Sequence, residues 1–213
     1  MSASLITTAQ QFYTALAANN SRDWWGEHRG VYDDDIKPAA LALIDDMAAP
    51  LAEITGAPVK GKLFRPHRDV RFSKDKTPYN THVHMMWQME AEVADAPVFF
   101  FGIGTDSVTA GAGRMGFDKP TLENWRKFVD LDTQRVLDIV ARLTAKGFAL
   151  REPALKRVPS GYASDHPAGD LLRMKGCVAS KDIGQPDDIV ASLGAVFGDL
   201  MALNALLLQV AEA

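Results

Sequence analysis

The chain has 213 residues, of which 47% are apolar and 23% charged, and this is enough for one domain with a sizeable buried core. A single cysteine, Cys177, excludes an internal disulfide and fits a reducing compartment, while the formal charge of −4 argues against a general nucleic-acid binder. The start lacks the features of a signal peptide, and no apolar run reaches the roughly 20 residues of a membrane span. The sequence therefore predicts a cytoplasmic protein with no membrane partner.

The first part of the chain carries helical patterns. Thr7, with Gln three residues later, is typical of a capping box and predicts a helix that ends at residues 19–21. Asp23 is expected to cap a second helix. From Pro38 to Ile54 apolar residues recur every three or four positions, which predicts a third helix that ends at Gly56.

Strand patterns follow in the middle of the chain. Short apolar and β-branched runs separated by turn residues predict consecutive strands at 62–65, 81–88, 98–103 and 107–111. The run 98–103 is nearly all apolar, so we expect both of its faces to be covered.

The last third returns to helical patterns. Residues 120–147 follow the helical period with a break near 130–133, residues 176–180 are expected to form a strand, and a long amphipathic helix is expected over about 186–212. Helices, then consecutive strands, then helices are typical of the α+β class. We therefore predict one α+β domain over 1–213, with a central, mostly antiparallel sheet and N-terminal and C-terminal helices packed on it.

The densest charge lies in residues 65–79, here called the basic segment. Residues 62–76 contain six Lys or Arg and two Asp, a net charge of +4, so the rest of the chain carries −8. Arginine offers a planar fork and lysine a point charge, and both suit phosphate or carboxylate. We therefore expect a cleft for a small anionic ligand, in which Arg68, Arg71 and Lys76 converge on one anion. The full set of expected ligand-binding residues in this segment is Arg65, Arg68, Arg71, Lys74, Lys76 and Tyr79.

Alternation gives a more detailed expectation for this segment. If residues 70–73 are extended, Asp69 and Arg71 lie on one face, and Val70 and Phe72 anchor the segment through the other. Two alternatives to an anion site stay open. The acids Asp69 and Asp75 could pair with the arginines in a purely structural network, or the basic loop could dock an acidic protein or a nucleic acid.

Polar residues further along the chain are candidates to complete the cleft. Tyr162 and Arg173 lie in a proline-rich, loop-like stretch, and such loops often carry binding residues. The sequence does not establish whether the protein is an enzyme. If chemistry takes place, Asp69, Asp75 and His166 are the acid–base candidates.

No metal or cofactor is predicted. His82 and His84 can share one face of a strand and are the metal-ligand candidates, but no third ligand is marked by a short spacing. The glycine motifs lack the lysine of a phosphate loop and the strand-to-helix context of a dinucleotide fold.

Several motifs together resemble a known family. They are Asn19-Asn20, Trp24-Trp25, Arg29, Tyr32, the basic segment, and residues 111–113, 155–162, 165–167 and 171–175. In this order they resemble an uncharacterised bacterial and fungal family, domain of unknown function 2461, over nearly the whole chain. Pro66 departs from the pattern, since an apolar residue is more usual there. The resemblance implies an α+β domain without an established activity, so it transfers no catalytic residue, and no oligomeric state is predicted.

Overall fold

The structure is a computed structural model that describes residues 2–91, 93 and 96–213, with residues 2–4 as backbone alone. Within these residues the chain forms a six-stranded antiparallel sheet, with helices before and after most of its strands in the sequence. The α+β class predicted from the order of elements is confirmed.

The N-terminal helices agree with the predicted periods but differ at their ends. Helix α1 spans Ser2–Ala18 and α2 spans Arg22–Val31. Ser21, not Asp23, caps α2, because the Trp24 N–H donates to Ser21 Oγ at 3.2 Å. Asp23 instead lies in the first turn, where its negative charge interacts favourably with the helix dipole.

The predicted third helix is divided into three parts. A π-helical segment, Tyr32–Ile36, leads into α3 at Lys37–Asp46 and, after a break at Met47, α4 at Ala48–Thr55. Gly56 ends α4 in a left-handed conformation, with φ of 71°, as the sequence predicts.

The strands form one sheet in the order β1-β2-β3-β4-β6-β5. Their bounds are Val59–Leu63, Val83–Met89, Val98–Ile103, Val108–Arg114, Ala149–Leu150 and Cys177–Asp182 for β1 to β6. The four consecutive strands and the strand near 176–180 are confirmed, although β1 begins and ends earlier than predicted. Strand β5 was not predicted, because two residues are too short to show a period.

One face of the sheet forms the core of the protein. Trp87, Phe99 and Phe101 are fully buried, and Phe197 of the last helix, α8 (Ile189–Glu212), packs on the first two with ring centroids 5.7 and 5.0 Å apart. Along β3 burial alternates, so Val98 and Phe100 on the opposite face stay half-buried. The opposite face of 98–103 is therefore covered only in part, whereas the core face is fully buried.

The C-terminal helices complete this core. Helix α5 spans Lys119–Leu131, α6 Thr133–Ala145, α7 Gly169–Leu172 and α8 Ile189–Glu212. Within the described residues, α8 is the helix that is long and apolar enough to cross a membrane, by length and composition only. In the fold it packs on β4, α4 and α5, which is the position of a core helix in a soluble domain.

Candidate functional site

The basic segment connects β1 to β2 and folds back on itself at its base. His67 and Tyr79 face each other in an isolated antiparallel bridge. The Arg68 N–H donates to the Pro78 carbonyl at 2.8 Å, and the Asn80 N–H donates to that of Pro66 at 2.7 Å. The two ends of the segment are therefore paired, while the residues between them form a loop.

This base is attached to the first two helices. The Asn20 amide, in the turn between α1 and α2, donates to the Tyr79 carbonyl at 2.9 Å and accepts from the Tyr79 N–H at 3.2 Å. The Tyr79 ring stacks on Trp25, with centroids 4.4 Å apart and planes 15° apart. Tyr79 is buried, so it holds the segment in place and its ring is not free to bind a ligand face-on.

The Arg68 side chain bridges the two sides of this loop. Its Nη1 donates to Asp75 Oδ2 at 2.7 Å, to the Thr77 carbonyl at 3.0 Å and to the Thr77 hydroxyl. The Thr77 N–H donates to Asp75 Oδ1 at 2.9 Å. This backbone hydrogen bond and then Arg68 lower the pKa of Asp75 to about 2, so the carboxylate is held ionised.

The other cations also contact groups inside the segment. Arg71 forms a forked pair with Asp69, at 2.9 Å from Nε and 2.6 Å from Nη2, which lowers the pKa of Asp69. Lys76 Nζ donates to the backbone carbonyls of Val70 and Arg71 at 3.0 and 3.4 Å. Arg68, Arg71 and Lys76 thus each have different internal partners, and the geometry does not gather them around one vacant point.

Phe72 is not the anchor that alternation predicts. The chain turns at residues 70–73, where the Ser73 N–H bonds to the Val70 carbonyl at 3.3 Å, so it is not extended there. The Phe72 side chain is 95% exposed, while Val70 is half-buried. The prediction that both apolar residues anchor the segment is therefore wrong for Phe72.

A groove of about 510 Å³, here called the Arg65 groove, lies between the first residues of the basic segment and the helices α2 and α3. Arg65 and His67 line it from the segment, and Arg29, Asp33 and Lys37 line it from α2, the π-helical segment and α3. Its apolar walls include Trp25, Tyr32, Leu63 and Tyr79.

The charges in the Arg65 groove are unbalanced. Arg29 pairs with Asp33 at 2.8 Å, one helical turn away. Within the part of the chain that the structure describes, the exposed side chains of Arg65 and Lys37 form neither an ion pair nor a hydrogen bond. Asp33 is the acid among the described lining residues, so the Lys and Arg side chains of the lining outnumber its acids, although Arg65 also interacts electrostatically with Asp69 outside the groove.

A smaller polar cavity lies on the other side of Tyr79. It has a volume of about 360 Å³ and is lined by residues that include Asn20, Arg68, Thr77 and His82. Burial lowers the pKa of His82, and it also lowers that of His84, where the proximity of His82 adds to the effect. The two imidazoles lie 6.0 Å apart, and among the described residues no group of three His, Cys, Asp or Glu is placed to hold a metal ion.

A comparison with family models bears on these residues. The model described as a conserved hypothetical protein (DUF2461) matches residues 8–200. The chain belongs to this family. Among curated proteins, none matches the chain. The resemblance to this family in the sequence is confirmed, and its separate motifs Trp25, Arg29, Tyr32 and the basic segment meet at the Arg65 groove.

The later candidate residues of this DUF2461 member lie elsewhere. Arg173 pairs with Asp170, donates to the Lys156 carbonyl at 3.4 Å, and lines a separate cavity of about 890 Å³ between α6 and the loop before β6. Tyr162 packs against the core. The structure therefore does not bring Tyr162 and Arg173 to the Arg65 groove.

His166 is held by contacts at both ring nitrogens. Its Nδ1 accepts from the Ala168 N–H at 3.0 Å, and its Nε2 lies 3.3 Å from Asp130 Oδ1. Because Nδ1 is an acceptor, Nε2 carries the proton and donates to Asp130. The side chain is 10% exposed, so these contacts fix the loop before α7.

Sequence reasoning does not identify Lys37 or Arg29 as binding residues. In the sequence Arg29 supports only the family resemblance, although its i, i+4 spacing to Asp33 indicates that both face one side of a helix. Lys37 carries no signal, since its position beside Arg65 depends on the packing of the π-helical segment.

Proposed function

We propose that the protein binds a small anionic ligand, bearing a phosphate or a carboxylate, in the Arg65 groove. The observation that supports this most is the excess of positive charge in the groove lining, where Arg65 and Lys37 form no side-chain ion pair or hydrogen bond among the described residues. A bound anion would neutralise both, and arginine offers it a forked pair of hydrogen bonds. The exposed side chains of Leu41 and Phe64, which also line the groove, give an apolar part of the ligand a surface to pack on.

The proposal is binding without turnover. Asp69 and Asp75, the acid–base candidates of the basic segment, have lowered pKa values because N–H donors hold their carboxylates ionised. Such carboxylates are poor proton donors at neutral pH.

We also propose that the protein is located in the bacterial cytoplasm. Its single cysteine, Cys177, is buried and fits a reducing compartment.

Calorimetric titration with pyrophosphate and with citrate tests the proposal. We expect saturable binding of one of them, weakened about tenfold in Arg65→Met and in Lys37→Met, because each variant removes one charge and keeps an apolar stem. Arg22→Met, at the start of α2 and outside the groove, is the matched control and should bind as the wild type does. Absence of binding to either anion, or unchanged affinity in both groove variants, would refute the proposal.

A second candidate function is the docking of an acidic partner through the loop tip. Phe72 is 95% exposed, the Arg71 guanidinium lies 5.9 Å from its ring centroid, and Lys74 beside it is exposed. An exposed aromatic ring among cations is typical of single-stranded nucleic-acid contacts. Binding of a uridine 20-mer that falls steeply with salt, and that Phe72→Ser weakens, would favour this function over the groove.

A further inference from the structure

A second groove lies on the face of the sheet opposite to α8, and it is apolar. It has a volume of about 620 Å³, within the roughly 300–1,000 Å³ of small-molecule pockets. Met86 and Phe100 face each other across β2 and β3 and form its centre, with Val178 of β6 beyond them. The Phe100 ring lies directly against Gly111 of β4, where an added Cβ would be 2.4 Å from Phe100 Cζ.

The charged groups of this sheet groove are basic and lie at one end. Arg114 and Arg151 line that end, and no Asp or Glu occurs among the described lining residues. The neutral polar side chains of Gln88 and Ser180 line the groove from the strands. Arg114 already donates to the Gly116 carbonyl at 3.3 Å. The imidazole of His84, at the other side of the groove, is half-buried, and burial lowers its pKa, so it adds no charge of its own at neutral pH.

Arg151 is the group that a ligand could use. Its backbone N–H donates to the Val178 carbonyl at 3.0 Å, which extends the pairing of β5 with β6 and fixes its position at the groove. Its side chain contacts Met115 Sδ, 3.6 Å from Nη1, and this is its polar contact within the described residues. A thioether is a weak acceptor, so the planar donor fork of Arg151 stays available at the end of an apolar channel.

An apolar centre that ends at an available arginine, with no acid among the described lining residues, is complementary to an amphipathic anion. We propose that this groove binds a small amphipathic carboxylate, whose hydrocarbon or aromatic body lies on Met86, Phe100 and Val178 and whose carboxylate pairs with Arg151. This ligand class differs from that of the Arg65 groove, because the Arg65 groove is lined by Arg29, Asp33, Lys37 and Arg65, whereas the charged lining residues of this one are Arg114 and Arg151. The two sites share no lining residue except Phe64.

Calorimetric titration with decanoate, below the concentration at which it forms micelles, tests the proposal. We expect saturable binding of decanoate, with acetate and decanol both much weaker, since acetate lacks the body and decanol lacks the charge. Arg151→Met should weaken decanoate about tenfold, and Arg151→Glu should abolish its binding and admit decylammonium instead. Arg142→Met, an exposed arginine on α6 outside the groove, should change nothing.

Three outcomes would overturn the proposal. They are no binding of decanoate, equal affinity in Arg151→Met and the wild type, and decanol binding as tightly as decanoate. Sedimentation adds a further test, because a dimer that Met86→Asp dissociates would show that a second copy of the chain covers the groove. Arg65→Met should leave decanoate binding unchanged, so this proposal and the proposed function can fail separately.

Discussion

Asn20 joins the basic segment to the helices through a pair of hydrogen bonds to the Tyr79 backbone, at 2.9 and 3.2 Å. Asn20→Ala removes both and leaves half-buried backbone groups without a partner, so we expect a loss of about 1–3 kcal/mol in the free energy of unfolding. Asn19→Ala is the matched control. Within the described residues, the exposed Asn19 side chain bonds to the Ala15 carbonyl of the preceding helix, and its removal should cost less than about 0.5 kcal/mol. Urea unfolding of both variants measures the difference, and equal losses would contradict this role of Asn20.

The hydrogen bonds that Asp75 accepts from the Thr77 N–H and from Arg68 should make stability depend on acid pH. The pKa of Asp75 is about 2 in the folded chain and about 4 in an unfolded one, so its contribution is present above about pH 4 and is lost as the pH falls towards 2. We expect the difference in melting temperature between the wild type and Asp75→Asn to be positive at pH 5 and to shrink between pH 4 and pH 2. A pH-independent difference for Asp75→Asn would count against these interactions of Asp75.

At the residue scale the sequence predicted which side chains carry charge but not which partners they have. The density of cations in residues 65–79 was visible, and the structural network was one of the open alternatives. The partners depend on the turn at residues 70–73, which directs Arg71 to Asp69 and exposes Phe72. No periodic pattern marks that turn, and Lys37 reaches the Arg65 groove only through tertiary packing.

At the scale of elements, β4 and β6 approach each other at Gly113 more closely than a residue with a side chain would allow. Gly113 has φ of 132°, and an added Cβ would lie 2.1 Å from the Cys177 carbonyl oxygen. Gly113→Ala combines a strained backbone with a clash against backbone, so we expect a loss of about 3 kcal/mol or more. Gly116→Ala, three residues later with nothing within 4 Å of the added atom, should be nearly neutral. Thermal unfolding compares the two, and similar melting temperatures would show that the strands can separate at little cost.

Long elements with a regular apolar period were predicted well from the sequence, and short or irregular elements were not. The strand at Val98–Ile103 and the break between α5 and α6 were expected where they occur. The two-residue β5 and the π-helical segment Tyr32–Ile36 were missed. Two residues show no period, and an i→i+5 turn leaves the apolar spacing close to that of an α-helix. The missed segment matters for the proposed function, since it carries Tyr32 and Asp33 into the Arg65 groove.

At the scale of the whole molecule, α8 packs against elements from both the N-terminal and the C-terminal parts of the chain. It packs on β4 in the sheet, on α4 from the N-terminal part, and on α5 and α6 from the C-terminal part. An apolar stripe that continues along the whole segment predicted a long helix, but not which elements it would pack on. The two grooves lie on elements that this one core holds together, so disruption of α8 should affect both.

The last prediction follows from this shared core. Phe197 of α8 is fully buried against Trp87 and Phe99, so Phe197→Ala should cost about 3–5 kcal/mol. Phe72→Ala removes the same atoms from a side chain that is 95% exposed and should be nearly neutral. Because a single domain unfolds as one unit, tryptophan fluorescence and far-ultraviolet circular dichroism should give coincident urea transitions in Phe197→Ala, displaced together from those of the wild type. Two separated transitions would show instead that the helices near residues 5–55 and the rest of the chain unfold independently.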